Sequence, residues 1–336
     1  MKDKKTVLLM EIAKAYFLEH RTQSEIARSA GVTPSQISRY LKEARRRGMV
    51  QVRVVDPEGS FDELEGSLRK LFPHLADVVI APSLASDAES TRDIVGRYAA
   101  NYLHDVVRPG QRLVIGCGRT LRALANALLP RRVSDVSIVQ AVGNLGHEAH
   151  GIDYNEITRA VAHPFGARPY FLSSPAILGV GSGTAAELIR ANATIRQVLD
   201  MARHGDIYVV GLGSLQSDRL YVRTGMISQR EMDEMKHGVV GDICGRFFDA
   251  QGRERQTPFA SRIIGIELTD LRRGRLSVGI ACGKDKVDPI VAAVRGRFIN
   301  ALVSDEDTVR SVLQRAVRRH QSSRHERGEL KPEKSA

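Results

Sequence analysis

Between residues 6 and 20 the apolar positions Leu9, Ile12, Ala13, Tyr16 and Phe17 recur at three- and four-residue intervals, the spacing of one helix face. Two shorter helices should follow. Thr22 with Glu25 three positions on forms a capping box, so a helix is expected to start there and run to about Ala30, with Gly31 at its C-cap. Thr33 and Gln36 repeat the pattern, and Pro34 falls at the first helical position, where its missing N–H costs nothing. Ile37, Leu41 and Ala44 then line one face of a third helix, and Ile26, Ala27 and Val32 complete the contact between helices. The opposite face presents Ser35, Arg39, Lys42 and Arg46, flanked by Gln36 and Ser38. After Arg45-Arg46-Arg47-Gly48, the run MVQVRVV alternates like a short strand. Together these signals predict a winged helix-turn-helix over residues 1–55.

Asp56-Pro57-Glu58-Gly59-Ser60 reads as a hinge, followed by a helix at 61–72 with Phe61, Leu64, Leu68 and Leu71 on one side. Residues 56–75 are therefore expected to connect two domains. From residue 76 the pattern changes. ADVVIAP, QRLVIGC, DVSIVQAVG, RPYFL, DIYVVGLG, RIIGIEL, LSVGIACG and FINALVSD read as buried strands. Helical patterns at 87–105, 119–129, 153–164, 184–202, 286–296 and 305–317 lie between or after them. Such alternation predicts an α/β domain over 76–317 with an open, mostly parallel sheet and helices on both faces. The basic tail 318–336 has no apolar period and is expected to be disordered.

Charge sharpens this division. The 336-residue chain carries a net charge of +11, but residues 1–55 hold 12 Lys/Arg against 5 acids and residues 310–336 hold 8 against 3. The body between them is close to neutral. A basic module joined to a neutral domain points to nucleic acid at one end and another task in the middle. No run of apolar residues is long enough to span a membrane, and MKDKK opens an amphipathic helix rather than a signal sequence, so a cytoplasmic protein is expected. Cys117, Cys244 and Cys282 lie far apart without metal-ligand spacing, which argues against a disulfide framework or a zinc site.

Hydroxyls, amides and basic groups suit phosphate oxygens and base edges in a major groove. Thr22, Gln23, Thr33, Ser35, Gln36, Ser38, Arg39, Lys42 and Arg46 are therefore the candidate contacts to double-stranded operator DNA. In the α/β domain several strands end in glycine-rich turns: Gly116-Cys117-Gly118-Arg119-Thr120, Gly143-Asn144, Gly211-Leu212-Gly213-Ser214 and Gly283. Glycines let backbone N–H groups approach a ligand, and the helix opening at Arg119 favours an anion. Asp242 and Asp249, seven residues apart, would share a face on a helix and could bind sugar hydroxyls; alternatively Asp249 caps the turn Asp249-Ala250-Gln251-Gly252. Lys286 begins a helix after a buried strand and is expected to face the same pocket.

The order of motifs resembles the SorC-type bacterial transcriptional regulators, which join a helix-turn-helix to a sugar-binding domain. The resemblance covers about residues 8–316 and rests on SEIARSAGVTPSQISRYLKEARRRGMVQV, GCGRT, SSPAI, GLGS, GVVGDICGRFFD and GKDKVDPIVAAVRGRFINALVSDE. It implies a sugar-isomerase-like fold, a homotetramer or homodimer, and a sugar, polyol or sugar-phosphate effector. It also implies that Gly118, Arg119, Thr120, Asn144, Asn155, Asp242, Asp249 and Lys286 gather in one effector pocket, to which Gly116, Gly143 and Gly211 belong as strand-end glycines. Cys282 stands where the family usually has a second glycine, which narrows the turn beside Lys286. A rival reading is an enzyme using Asp242, Asp249, His147 and Lys286 for acid–base chemistry. No His–carboxylate pair has a suitable spacing, and an enzyme would have little use for the basic module. No catalytic residue, metal or cofactor is therefore expected.

Overall fold

In the computed structural model the chain divides into two compact units, Met1–Gly59 and Ser60–Ala336. The structure describes residues 4–19, 21–47, 49–50, 61–84, 87–144, 153–179, 183–214, 222, 227–235 and 238–326.

The first unit contains α1 (Lys4–Phe17), α2 (Gln23–Ala30) and α3 (Pro34–Arg46). Both capping boxes form. Glu25 N–H donates to Thr22 Oγ1, while Thr22 N–H donates to Glu25 Oε2 at 2.7 Å. Gln36 N–H donates to Thr33 Oγ1 at 3.3 Å, and Thr33 N–H returns a bond to Gln36 Oε1 at 2.9 Å. Gly31 ends α2 in the left-handed region, at φ 66°. Leu9, Ile12, Ile26, Ala27, Ile37, Leu41 and Ala44 are buried between the helices, as their spacing requires. Residues 51–55 of the expected wing strand at 49–55, and the hinge at 56–60, lie outside the described residues.

The second unit opens with α4 (Asp62–Leu71), whose Leu68 is fully buried in the core of this unit. Seven strands follow: β1 (Asp77–Ala81), β2 (Arg112–Ile115), β3 (Ser137–Gln140), β4 (Arg168–Tyr170), β5 (Ile207–Gly211), β8 (Leu276–Ile280) and β9 (Ala301–Asp305). They form one parallel sheet in the order β1-β9-β8-β5-β2-β3-β4. Between them run α5 (Ala88–Val106), α6 (Arg119–Ala127), α7 (Tyr154–Phe165), α8 (Gly183–Ala191), α9 (Ala193–Arg203), α10 (Gln229–Met235), α11 (Leu268–Arg273) and α12 (Val287–Arg295). The last helix, α13 (Glu306–Glu326), follows β9. Every residue of β8 and β9 is buried, as expected of parallel strands covered on both faces. From β2 the chain winds outward to β3 and β4, and from β5 it winds the other way to β8 and β9. The direction of winding therefore reverses between β2 and β5.

Four expectations need correction. RIIGIEL does not join the sheet: it crosses the end of β3 in the opposite direction, touching it through the antiparallel bridge Val142↔Gly265, and pairs with residue 177. The helix expected at 184–202 is two, because the Asn192 side chain accepts from the N–H groups of Thr194 and Ile195 and starts α9 afresh. Residues 241–248 form a hairpin, not a helix, with β6 (Gly241–Ile243) and β7 (Arg246–Phe248) joined by Cys244 and Gly245, both at positive φ. Finally, α13 continues to Glu326. Its Arg-rich extension lacks a core-facing period but contains no helix breaker before Gly328.

Candidate functional site

On α3 the polar face is laid out as its spacing predicts. Ser35, Arg39 and Lys42 are exposed, and Gln36 and Ser38 are half-buried. Ile37, Leu41 and Ala44 point the other way, into the helical core. Thr33 is exposed at the helix start, as Thr22 is at the start of α2, with Gln23 half-buried beside it. Because Gln36 Oε1 accepts the Thr33 N–H, only its amide donors remain for another partner. The side chain of Arg46 falls outside the described part.

The second constellation lies at the carboxyl ends of β3, β2, β5 and β8, which are neighbours in the sheet. Gly143-Asn144 follows β3, Gly116–Thr120 follows β2, Gly211–Ser214 follows β5, and Lys286 lies beyond β8. At ordinary strand spacing these four ends span roughly 14 Å, the scale of a small phosphorylated sugar. In open parallel sheets the crevice for ligands lies at this edge, where the winding reverses. The hairpin adds Asp242 through the bridge Gly213↔Asp242, with Gly213 N–H donating to Asp242 O at 2.8 Å. Asn155 lies in the first turn of α7.

Gly118 is the N-cap of α6, at φ 131° and ψ 170°, and makes no side-chain cap bond. The first N–H groups of α6 are thus left without a capping side chain. A Cβ on Gly118 would meet nothing within 4 Å, so the loop borders open space. Thr120 is half-buried in the first turn and Arg119 is exposed. Asn144 is held by its N–H to Ser174 O at 2.7 Å and by Gln140 Nε2, which donates to its Oδ1 at 3.0 Å. Gly143 N–H donates to Ile264 O at 2.9 Å. Asn155 Oδ1 is buried and meets no hydrogen-bond partner among the described residues.

Asp242 is 7% exposed, and its Oδ2 accepts the Gly245 N–H at 3.1 Å. The carboxylate lies directly over Gly213, where an added Cβ would sit 1.8 Å from Asp242 Oδ1. Gly213→Ala should therefore displace the carboxylate, destabilise the fold by roughly 1–3 kcal/mol, and abolish any ligand-induced rise in melting temperature. Thermal unfolding against a panel of sugar phosphates checks this; an undiminished rise would mean that Asp242 is not part of the site.

Lys286 is 3.3 Å from Asp285, and its side chain is 16% exposed. Beside it, burial and the nearby Asp305 push the Cys282 thiol up to about 12. Gly283 N–H is already taken by Thr308 Oγ1 at 2.8 Å and Asp305 Oδ2 at 3.3 Å. Asp249 is not brought into the group in the manner expected of a shared helix face. Its carboxylate closes the 249–253 turn, accepting from Gln251 N–H, Arg253 N–H and Arg253 Nε. These bonds, with the adjacent guanidinium, hold its carboxyl pKa below the usual carboxylate range despite burial. His147 lies outside the described residues. Two groups beside the glycine loop carried no signal in the residue pattern: Tyr154 and Cys244. Burial raises the Tyr154 hydroxyl well above its ordinary value, so it stays a protonated donor.

Residues 56–314 match the sugar-binding domain family. The chain is 30% identical over 314 residues to the deoxyribonucleoside regulator of Bacillus subtilis (strain 168), covering 93% of this chain and 99% of that protein. It is 32% identical over 311 residues to the transcriptional regulator LsrR of Enterobacter sp. (strain 638), covering 91% and 92%. The crystal structure of the full-length sorbitol operon regulator SorC from Klebsiella pneumoniae superposes with a TM-score of 0.75 at 28% identity, covering 93% of this chain and all of that one. These similarities join a helical N-terminal unit to a sugar-binding α/β body, the class of the transcriptional regulators. Within that class, the chain belongs to the SorC-type family of bacterial regulators.

Proposed function

We propose that this chain is a DNA-binding regulator of carbohydrate metabolism whose operator binding is controlled by a sugar, polyol or sugar-phosphate effector. The observation that carries the reading is the convergence of Gly116–Thr120, Asn144, Gly211 and Asp242 at the carboxyl edge of the sheet, in a chain that also presents Ser35, Arg39 and Lys42 on a capped helix. The uncapped start of α6 suits the anionic end of the effector, and Asp242 with Asn155 suits its hydroxyls. None of these groups is required to do chemistry. The function is binding without turnover, and the protein acts as a homodimer or homotetramer on double-stranded DNA. Among the described residues no helix is long and apolar enough to cross a membrane, in keeping with action on DNA in the cytoplasm.

The effector alters subunit packing and so the spacing of the DNA-reading helices, which must match successive turns of the duplex. Thr120→Ala removes one hydroxyl donor and spares the backbone N–H groups. It should weaken the effector by about 1.5–3 kcal/mol, one hydrogen bond to a charged group, while operator binding without effector stays at the parent level. Calorimetric titration with the effector, paired with an operator-binding assay, checks both halves. Unchanged effector affinity would move the anionic end away from the glycine loop.

A further inference from the structure

Tyr154 opens α7 and is 7% exposed. Its position is fixed from behind, because Asp153 Oδ1 accepts the N–H groups of Asn155 at 2.8 Å and Glu156 at 3.4 Å. Its hydroxyl shares a hydrogen bond with the Cys117 side chain and lies within electrostatic reach of Cys244 and Asp242. A buried tyrosine hydroxyl ordinarily finds a strong oxygen partner. Two other tyrosines here do so: Tyr208 donates to Ala202 O at 3.0 Å, and Tyr102 donates to Asp77 Oδ2 at 2.6 Å. Tyr154 instead has a thiol, a weak partner. The next residue, Asn155, has a buried Oδ1 with no partner among the described residues. Two successive residues at the start of α7 therefore carry poorly satisfied buried polar atoms, and the first of them lies beside Cys117 of the glycine loop. Phenylalanine at 154 would fill the same space without burying a hydroxyl, so packing alone does not account for tyrosine.

Resting on the effector reading above, we propose that Tyr154 is a specificity-determining residue: its hydroxyl, beside Cys117 of the glycine loop, hydrogen-bonds a hydroxyl of the effector's carbon chain while the glycine loop holds the anionic end. The oxygen of a sugar is a better partner than the thiol, and a ligand lacking that hydroxyl gains nothing from Tyr154.

The test is Tyr154→Phe in the full-length chain, titrated by calorimetry with inorganic phosphate, ribose 5-phosphate, 2-deoxyribose 5-phosphate and sorbitol 6-phosphate. The sugar phosphate that binds the parent most tightly should lose roughly 5–10-fold in affinity, one neutral hydrogen bond. Inorganic phosphate should bind parent and variant alike, and the unliganded melting temperatures should agree within about 2 °C. An unchanged sugar phosphate affinity overturns the proposal. So does an equal loss for phosphate and sugar phosphate, which would make Tyr154 a support for the loop alone. If no sugar phosphate binds the parent more tightly than inorganic phosphate, the effector reading itself fails and Tyr154 falls with it.

Discussion

Gly118→Val should abolish the response to effector while leaving operator binding intact. Gly118 sits at φ 131°, a conformation that a β-branched residue resists, and its Cα faces open space at the start of α6. Valine would either rotate the backbone, turning the first N–H groups of α6 away from the ligand, or place its methyl groups where the anionic end should lie. Losing two charge-assisted bonds weakens binding by roughly 100-fold or more, a larger effect than Thr120→Ala. Operator binding should persist because α3, the proposed DNA-reading helix, belongs to the other unit. Since nothing lies within 4 Å of the added Cβ, the damage should fall on ligand binding more than on packing. Operator gel shifts with and without effector check the expectation.

Arg39→Ala should weaken operator binding by roughly 1–3 kcal/mol, about 5–150-fold, and relax selectivity at the base pair it reads. Arg39 is exposed on α3 opposite the fully buried Ile37 and Ala44, so truncation removes the proposed DNA contact without opening the helical core. Competition between cognate and scrambled duplexes at fixed salt measures both effects. Equal affinity for parent and variant would place the recognition face elsewhere on α3.

The helix starts and the parallel sheet were readable in the residue pattern because each signal had one physical source. Thr22 with Glu25 and Thr33 with Gln36 specify helix starts by local hydrogen bonding, and both boxes form as read. Short β-branched runs separated by amphipathic stretches specify a parallel sheet, and seven such strands are present. The 241–249 segment was misread because a seven-residue carboxylate interval says nothing about whether the chain between is helix or hairpin. Cys244 at positive φ is the hidden determinant: a residue other than glycine, asparagine or aspartate gives no warning of a two-residue turn. Asp249 followed its alternative role, closing a turn with Arg253. Tyr154 escaped notice because an aromatic at a helix start reads as core, and its unusual feature is the partner that the fold supplies.

The central claim is that the glycine loop of the α/β domain governs operator binding by the helical unit. Its most direct test is fluorescence anisotropy of a labelled operator duplex bound to the full-length chain, titrated with a sugar phosphate that raises the melting temperature of the parent, for parent and Gly118→Val side by side. The account predicts that both proteins bind the duplex equally without ligand, and that ligand shifts the binding curve of the parent alone. If ligand shifted both curves equally, or left the parent's unmoved, the proposed control through the glycine loop would be contradicted.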